Sequence, residues 1–197
     1  MQSPPIEITD LIIDRAARPD NDEPTVCLNL EGTLMSINRS QIDRQVEEEQ
    51  TFKIQRHPPN EDFFVTIRPG AVELLEELTK HSHTFIYSDL PRSEILDITY
   101  HLYLQQHPDT DWSDALALCV ANIGIRGRED CVITSSGPKK LLGNLSEELD
   151  CPINHTWLID RPNALVDFPC KLIPIPRFNG DMSDRHLFDL FEHIFIN

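Results

Sequence analysis

Short apolar runs separated by amphipathic helical segments constrain the fold of this chain more than any other feature. Val26-Cys27-Leu28 stops at Asn29, Thr84-Phe85-Ile86-Tyr87 stops at Ser88-Asp89, and Thr156-Trp157-Leu158-Ile159 stops at Asp160. Phe63–Ile67, Cys131–Thr134 and Leu172–Ile175 read as further strands. Between them, Ala71–Lys80 carries Val72, Leu75 and Leu78 at helical spacing. Pro91 opens a second helix through about Tyr103, with Ile95, Ile98 and Leu102 on one face. Trp112–Val120 reads as a short helix, Lys140–Leu149 as another, and Ser183 as the N-cap of a last helix over Asp184–Ile194. Apolar runs of strand length, buried on both faces and alternating with helices, predict an α/β fold with a mostly parallel sheet covered on both sides. Such sheets bind ligands at the carboxyl ends of their strands. Asn29, Glu31, Ser88 and Asp160 all fall at such ends.

The 197 residues suffice for one domain with a sizeable core. Residues 1–23 predict an N-terminal arm and loop, and residues 24–197 a single domain. Asn38–Asp62 is polar and reads as a solvated excursion with a short strand at Thr51–Gln55. The net charge of −16 repels phosphate backbones and anionic lipid, so neither nucleic acid nor a membrane surface is an expected partner. The five cysteines include no CxxC pair, which predicts reduced thiols in an intracellular protein. No run reaches the length of a membrane span. Met1–Glu7 reads as neither a signal peptide nor an Arg-rich transit peptide, leaving cytosol, nucleus and mitochondrion undivided. The eight histidines show no metal-ligand spacing.

Six separated segments line up with one family. They include Leu30-Glu31-Gly32-Thr33-Leu34, Arg68-Pro69-Gly70 ahead of a helix, Phe85-Ile86-Tyr87-Ser88, and Arg128–Val132 followed by Lys140. Leu158-Ile159-Asp160 and Phe178–Asp184 complete the pattern. The sequence resembles the FCP/SCP class of the haloacid dehalogenase superfamily. That class includes phosphatases of the RNA polymerase II C-terminal domain and the receptor subunit of the mitochondrial presequence translocase. The resemblance implies a three-layer Rossmann-like fold with a small insertion, and a Mg²⁺ site.

Position by position, the resemblance puts Asn29 in the place of the nucleophilic Asp, which also binds Mg²⁺. It puts Glu31 at the general acid/base position, with its backbone carbonyl as a metal ligand. Thr33 would brace the loop, Ser88 would hydrogen-bond the phosphoryl group, and Lys140, with Lys139 as the fallback, would neutralise phosphate and nucleophile. Asp160 matches the Mg²⁺-binding acid, followed here by Arg161 where the family has an Asn, Asp or Thr. Each position also has a plainer reading: Asn29 and Asp160 as turn residues, Ser88-Asp89 as a helix-cap region, Lys140 as a helix-start lysine.

Three departures bear on chemistry. Covalent phosphoryl transfer needs an anionic oxygen, and the Asn29 carboxamide supplies none. Its loss also weakens a site for a hard cation that prefers charged oxygen. At Glu31 the extra methylene moves the acid by about 1.5 Å, and a misplacement of order 1 Å costs ~100-fold. The permanent charge of Arg161 can take the metal's place or hold a phosphate directly. The favoured expectation is a catalytically impaired pseudo-phosphatase that binds a protein partner, phosphorylated or not, with Mg²⁺ weakened or absent. Two alternatives stand beside it: an active Mg²⁺-dependent protein Ser/Thr phosphatase in which Asn29 was engineered from Asp, and a presequence-translocase receptor domain.

Overall fold

The structure, a computed structural model, describes residues 13–14, 23–38, 51–56, 61–106 and 123–196. Its strands and helices, in chain order, begin with β1 (Ile13–Asp14), β2 (Thr25–Leu28), β3 (Met35–Asn38), β4 (Thr51–Arg56) and β5 (Glu61–Ile67). Next come α1 (Ala71–His81), β6 (His83–Tyr87), α2 (Arg92–Gln106), β7 (Gly124–Arg126), β8 (Val132–Thr134), β9 (Gly137–Lys139) and α3 (Leu142–Glu148). The chain continues through β10 (Thr156–Asp160), β11 (Leu172–Pro174), α4 (His186–Ile194) and β12 (Phe195–Ile196).

The central sheet has five strands in the order β11-β10-β2-β6-β7, and every pairing in it is parallel. The strand period of two sorts its side chains onto two faces. Leu28, Ile86 and Ile159 join a core with Leu74 and Leu78 of α1, Ile95 and Ile98 of α2, and Leu187 and Leu190 of α4. Cys27, Tyr87 and Leu158 face the other way, onto Leu142 and Leu145 of α3. The result is the expected three-layer α/β architecture. Each fully buried aliphatic side chain stabilises it by roughly 1.5–3 kcal/mol. A separate antiparallel sheet, β3-β5-β4, follows the tip of β2 and packs Ile54 and Val65 against the first core. It forms the small insertion.

Several elements differ from the sequence reading. The run Cys131–Thr134 yields β8, but β8 pairs with β9 in an antiparallel hairpin outside the central sheet, with Val132 and Ile133 exposed. The fifth strand of the central sheet is β7, whose sequence Gly-Ile-Arg carries no apolar run. Gly124 fits there because the Phe85 ring covers it; a Cβ at that position would lie 2.1 Å from the ring. Helix α4 starts at His186 rather than Asp184. The Ser183 hydroxyl donates to Asp181 Oδ1, while Asp184 turns to Arg68. Helix α3 starts at Leu142, because Lys140 is still bridged to Val166. Most of the N-terminal arm, residues 39–50 and 57–60 of the polar excursion, and the Trp112–Val120 helix lie outside the described residues.

Candidate functional site

The tips of β10, β2 and β6 lie side by side, and the loop after β2 closes tightly over them. The Leu30 carbonyl accepts the backbone N–H groups of Thr33, Leu34 and Met35 at 3.1, 2.9 and 3.1 Å. Gly32 has φ +79°, a left-handed conformation that glycine adopts without strain. Arg68, fully buried, donates from one guanidinium nitrogen to the Thr33 carbonyl at 3.0 Å. Its other two nitrogens bind the Asp184 carboxylate in bidentate fashion, at 2.9 Å each. The loop is thereby anchored to the segment entering α4.

Within this frame Asn29, Lys140 and Asp160 form a buried chain of hydrogen bonds. Asn29, Thr33 and Ser88 are fully buried, and Asp160 and Lys140 are 1% and 4% exposed. Lys140 Nζ donates to Asn29 Oδ1 at 3.0 Å and pairs with Asp160 Oδ2 at 2.5 Å. Asn29 Nδ2 donates to the backbone carbonyl of Glu31 at 2.8 Å. These partners fix the amide's orientation. Turned over, its NH₂ would face the Lys140 ammonium and its oxygen the Glu31 carbonyl. The second oxygen of Asp160 accepts the Arg161 backbone N–H at 2.7 Å.

Lys140 reaches the cluster because three groups hold its segment. Its N–H donates to the Leu165 carbonyl at 2.9 Å, and its carbonyl accepts the Asp167 N–H at 3.2 Å. The Tyr87 hydroxyl, at the end of β6, accepts the Leu141 N–H and donates to the Asp130 carbonyl, both at 2.9 Å. Lys139 lies in β9, so of the two lysines it is Lys140 that meets Asn29. Cys27, directly beneath, is fully buried; desolvation pushes its thiol up to about 12 against the opposing charge of Lys140. That thiol stays protonated and is no substitute nucleophile.

At the rim, the Glu31 carboxylate is 3.5 Å from Arg177. The Arg161 guanidinium lies 3.7 Å from both Asp160 Oδ1 and Asp89 Oδ2. The Ser88 hydroxyl accepts the Leu90 N–H at 3.4 Å and bonds neither Asn29 nor Lys140. Arg177, Asp89 and Asp184 were not singled out as site residues from the sequence. Arg68-Pro69-Gly70 was visible as a turn, but its pairing with Asp184, 116 positions away, leaves no local signal.

The donor set does not fit the Mg²⁺ that the resemblance implies. A hard cation needs several free oxygens. Asn29 Oδ1 and both Asp160 oxygens are engaged by N–H donors, and the Glu31 carbonyl is covered by the Asn29 amide. An ammonium stands between the two side chains that would hold the ion. No group of three or more His, Cys, Asp or Glu side chains among the described residues is arranged to hold a metal.

A parallel sheet of this order, with its polar cluster at the strand tips, defines a three-layer, Rossmann-like α/β domain. Among the solved structures that share the fold are two CTD phosphatases. One is Fcp1, an essential RNA polymerase II CTD phosphatase, with 14% identity and TM-score 0.54 over 81% of this chain and 43% of that one. The other is a variant of fission yeast RNA polymerase II CTD phosphatase Fcp1 bound to beryllium fluoride, with 12% identity and TM-score 0.53 over 87% of this chain and 51% of that one. The chain spans about half the length of these structures. No curated protein shows significant sequence similarity to it. The chain belongs to the NLI interacting factor-like phosphatase family, whose profile matches residues 24–195.

Proposed function

We propose that residues 24–197 form a catalytically silent phosphatase-fold domain, in which Lys140 takes the place of Mg²⁺ and the fold serves to bind a protein partner carrying a phosphoryl group. The observation that carries this reading is the locked Asn29 amide. It sits where the family's nucleophile belongs, accepts from Lys140, and donates to the very carbonyl that would ligate the metal. A carboxamide held this way offers no anionic oxygen for in-line attack. Glu31, at the acid/base position, pairs with Arg177. Lys140 and Arg161 remain as the groups suited to a phosphoryl oxygen. No described helix is long and apolar enough to cross a membrane.

The test is hydrolysis of an aryl phosphate with millimolar Mg²⁺. We expect a rate equal to that of heat-inactivated protein, and no shift in Tm on adding Mg²⁺ or EDTA. Turnover clearly above that control overturns the reading. Asn29→Asp alone should stay silent, because Glu31, the Lys140–Asp160 pair and Arg161 are unchanged. Family-like rates in that single variant would mean that the rest of the site is intact.

A further inference from the structure

We infer that Arg161 is an internal strap that holds the strand-tip cluster shut, and that release from Asp89 lets the cluster take a tetrahedral oxyanion. The inference deepens the reading above and rests on it for the identity of the cluster. In the sheet order, β2 lies between β10 and β6. Arg161 follows β10, whereas Asp89 follows β6, so the two are on the order of 10 Å apart at the level of the strands. To reach Asp89 at 3.7 Å, the guanidinium must cross the tip of β2, where Asn29 sits. Gly32 makes the crossing possible. A Cβ there would lie 3.2 Å from Arg161 Cδ and 3.0 Å from Arg177 Cγ, at a backbone conformation that side chains rarely adopt. The five residues beneath are at most 4% exposed, while the Arg161 side chain itself is 28% exposed.

The charges at the tips cancel. Lys140, Asp160, Arg161 and Asp89 form one chain of ion pairs, and Arg177 faces Glu31 as a separate pair. The hydrogen bonds do not cancel. The Asn29 and Asp160 side-chain oxygens are engaged, but Arg161 Nε and Thr33 Oγ1 are buried without a hydrogen-bond partner. Lys140 uses two of its three N–H groups on Asn29 and Asp160. Idle N–H donors on Arg161 and Lys140, beside a Thr33 hydroxyl free to donate, suit an oxyanion. Asp89 competes for the same guanidinium and keeps it folded down. A phosphoryl group, free or carried on a side chain, would have to displace that carboxylate.

The experiment is a titration of the full chain with inorganic phosphate, and separately with phosphoserine, followed by ¹H–¹⁵N chemical shifts. Asp89→Asn, with Asp89→Ser as a second variant should the first fold poorly, is expected to bind about fivefold more tightly than wild type, the scale of one partly exposed ion pair. Adding Arg161→Gln to either variant should remove the gain. A gain with phosphoserine alone identifies a protein-borne phosphoryl group as the ligand; a gain with both identifies the oxyanion itself. Equal affinity in wild type and both Asp89 variants, or a gain that survives Arg161→Gln, overturns the strap. Aryl phosphate turnover by the same preparations reports on catalytic silence separately, so either idea can fail without the other.

Discussion

Lys140 holds Asp160 in surroundings almost free of water, with the two side chains 5% and 1% exposed. Breaking such a pair from one side leaves a buried charge uncompensated, which costs roughly 3–5 kcal/mol. Lys140→Met should therefore lower unfolding stability in urea by that order. Combining it with Asp160→Asn should return part of the loss, because the orphaned carboxylate goes too. A double variant as unstable as the sum of the singles would show that the two side chains act separately. The same argument explains why an Asn is compatible with position 29. A second carboxylate is not needed to balance one ammonium, and the amide satisfies both the Lys140 donor and the Glu31 acceptor at once.

Helix α3 shows how an element is set by residues outside it. It has seven residues, and Leu141 before it offers no capping side chain. The cap comes from Asp167, whose two oxygens accept the N–H groups of Leu142 and Gly143 at 2.8 and 2.9 Å. A carboxylate there also meets the positive end of the helix dipole. Asp167→Ala should cost roughly 1 kcal/mol in a urea or thermal unfolding curve. Because the Asp167 N–H also binds the Lys140 carbonyl, hydrogen exchange at Lys140 and Leu142 should rise together. The sequence placed a helix over Lys140–Leu149 but could not locate its first turn, since the capping residue lies some 25 positions on. Conversely, α1 and the strands β2, β6 and β10 were legible within a residue or two, and α2 to within three at its C-terminal end. Their apolar spacing is a local property that the buried face simply uses.

The whole molecule is closed by contacts of long sequence separation, of which Arg68–Asp184 bears most directly on the site loop. Burial alone would raise the Asp184 carboxyl. The Arg68 guanidinium, with the His186 side chain and N–H, instead draws it below its usual value. A carboxyl lowered in the folded state contributes stability that is fully present above the unfolded value of about 4 and is lost as pH falls through the folded one. Asp184→Asn should therefore be destabilising near pH 7, and its deficit against wild type should shrink below about pH 4 in urea titrations at successive pH values. A deficit independent of pH would mean that the pair acts through packing alone. The parallel pairing of β1 with β12 brings the two ends of the described chain together, another long-range contact.

The sequence by itself determined the fold class, the family, and which residues stand at the strand tips. Apolar runs that stop at Asn29, Ser88 and Asp160 are enough to build a parallel sheet whose polar ends converge, and that pattern is written locally. Tertiary structure alone decided what those residues do to one another. The Asn29 amide orientation, the Lys140 ammonium between Asn29 and Asp160, and the reach of Arg161 across β2 to Asp89 each depend on segments tens to more than a hundred positions apart. Position in the sequence assigns a side chain to a site. Only packing determines which donor meets which acceptor, because a hydrogen bond is fixed by angstroms and not by residue order.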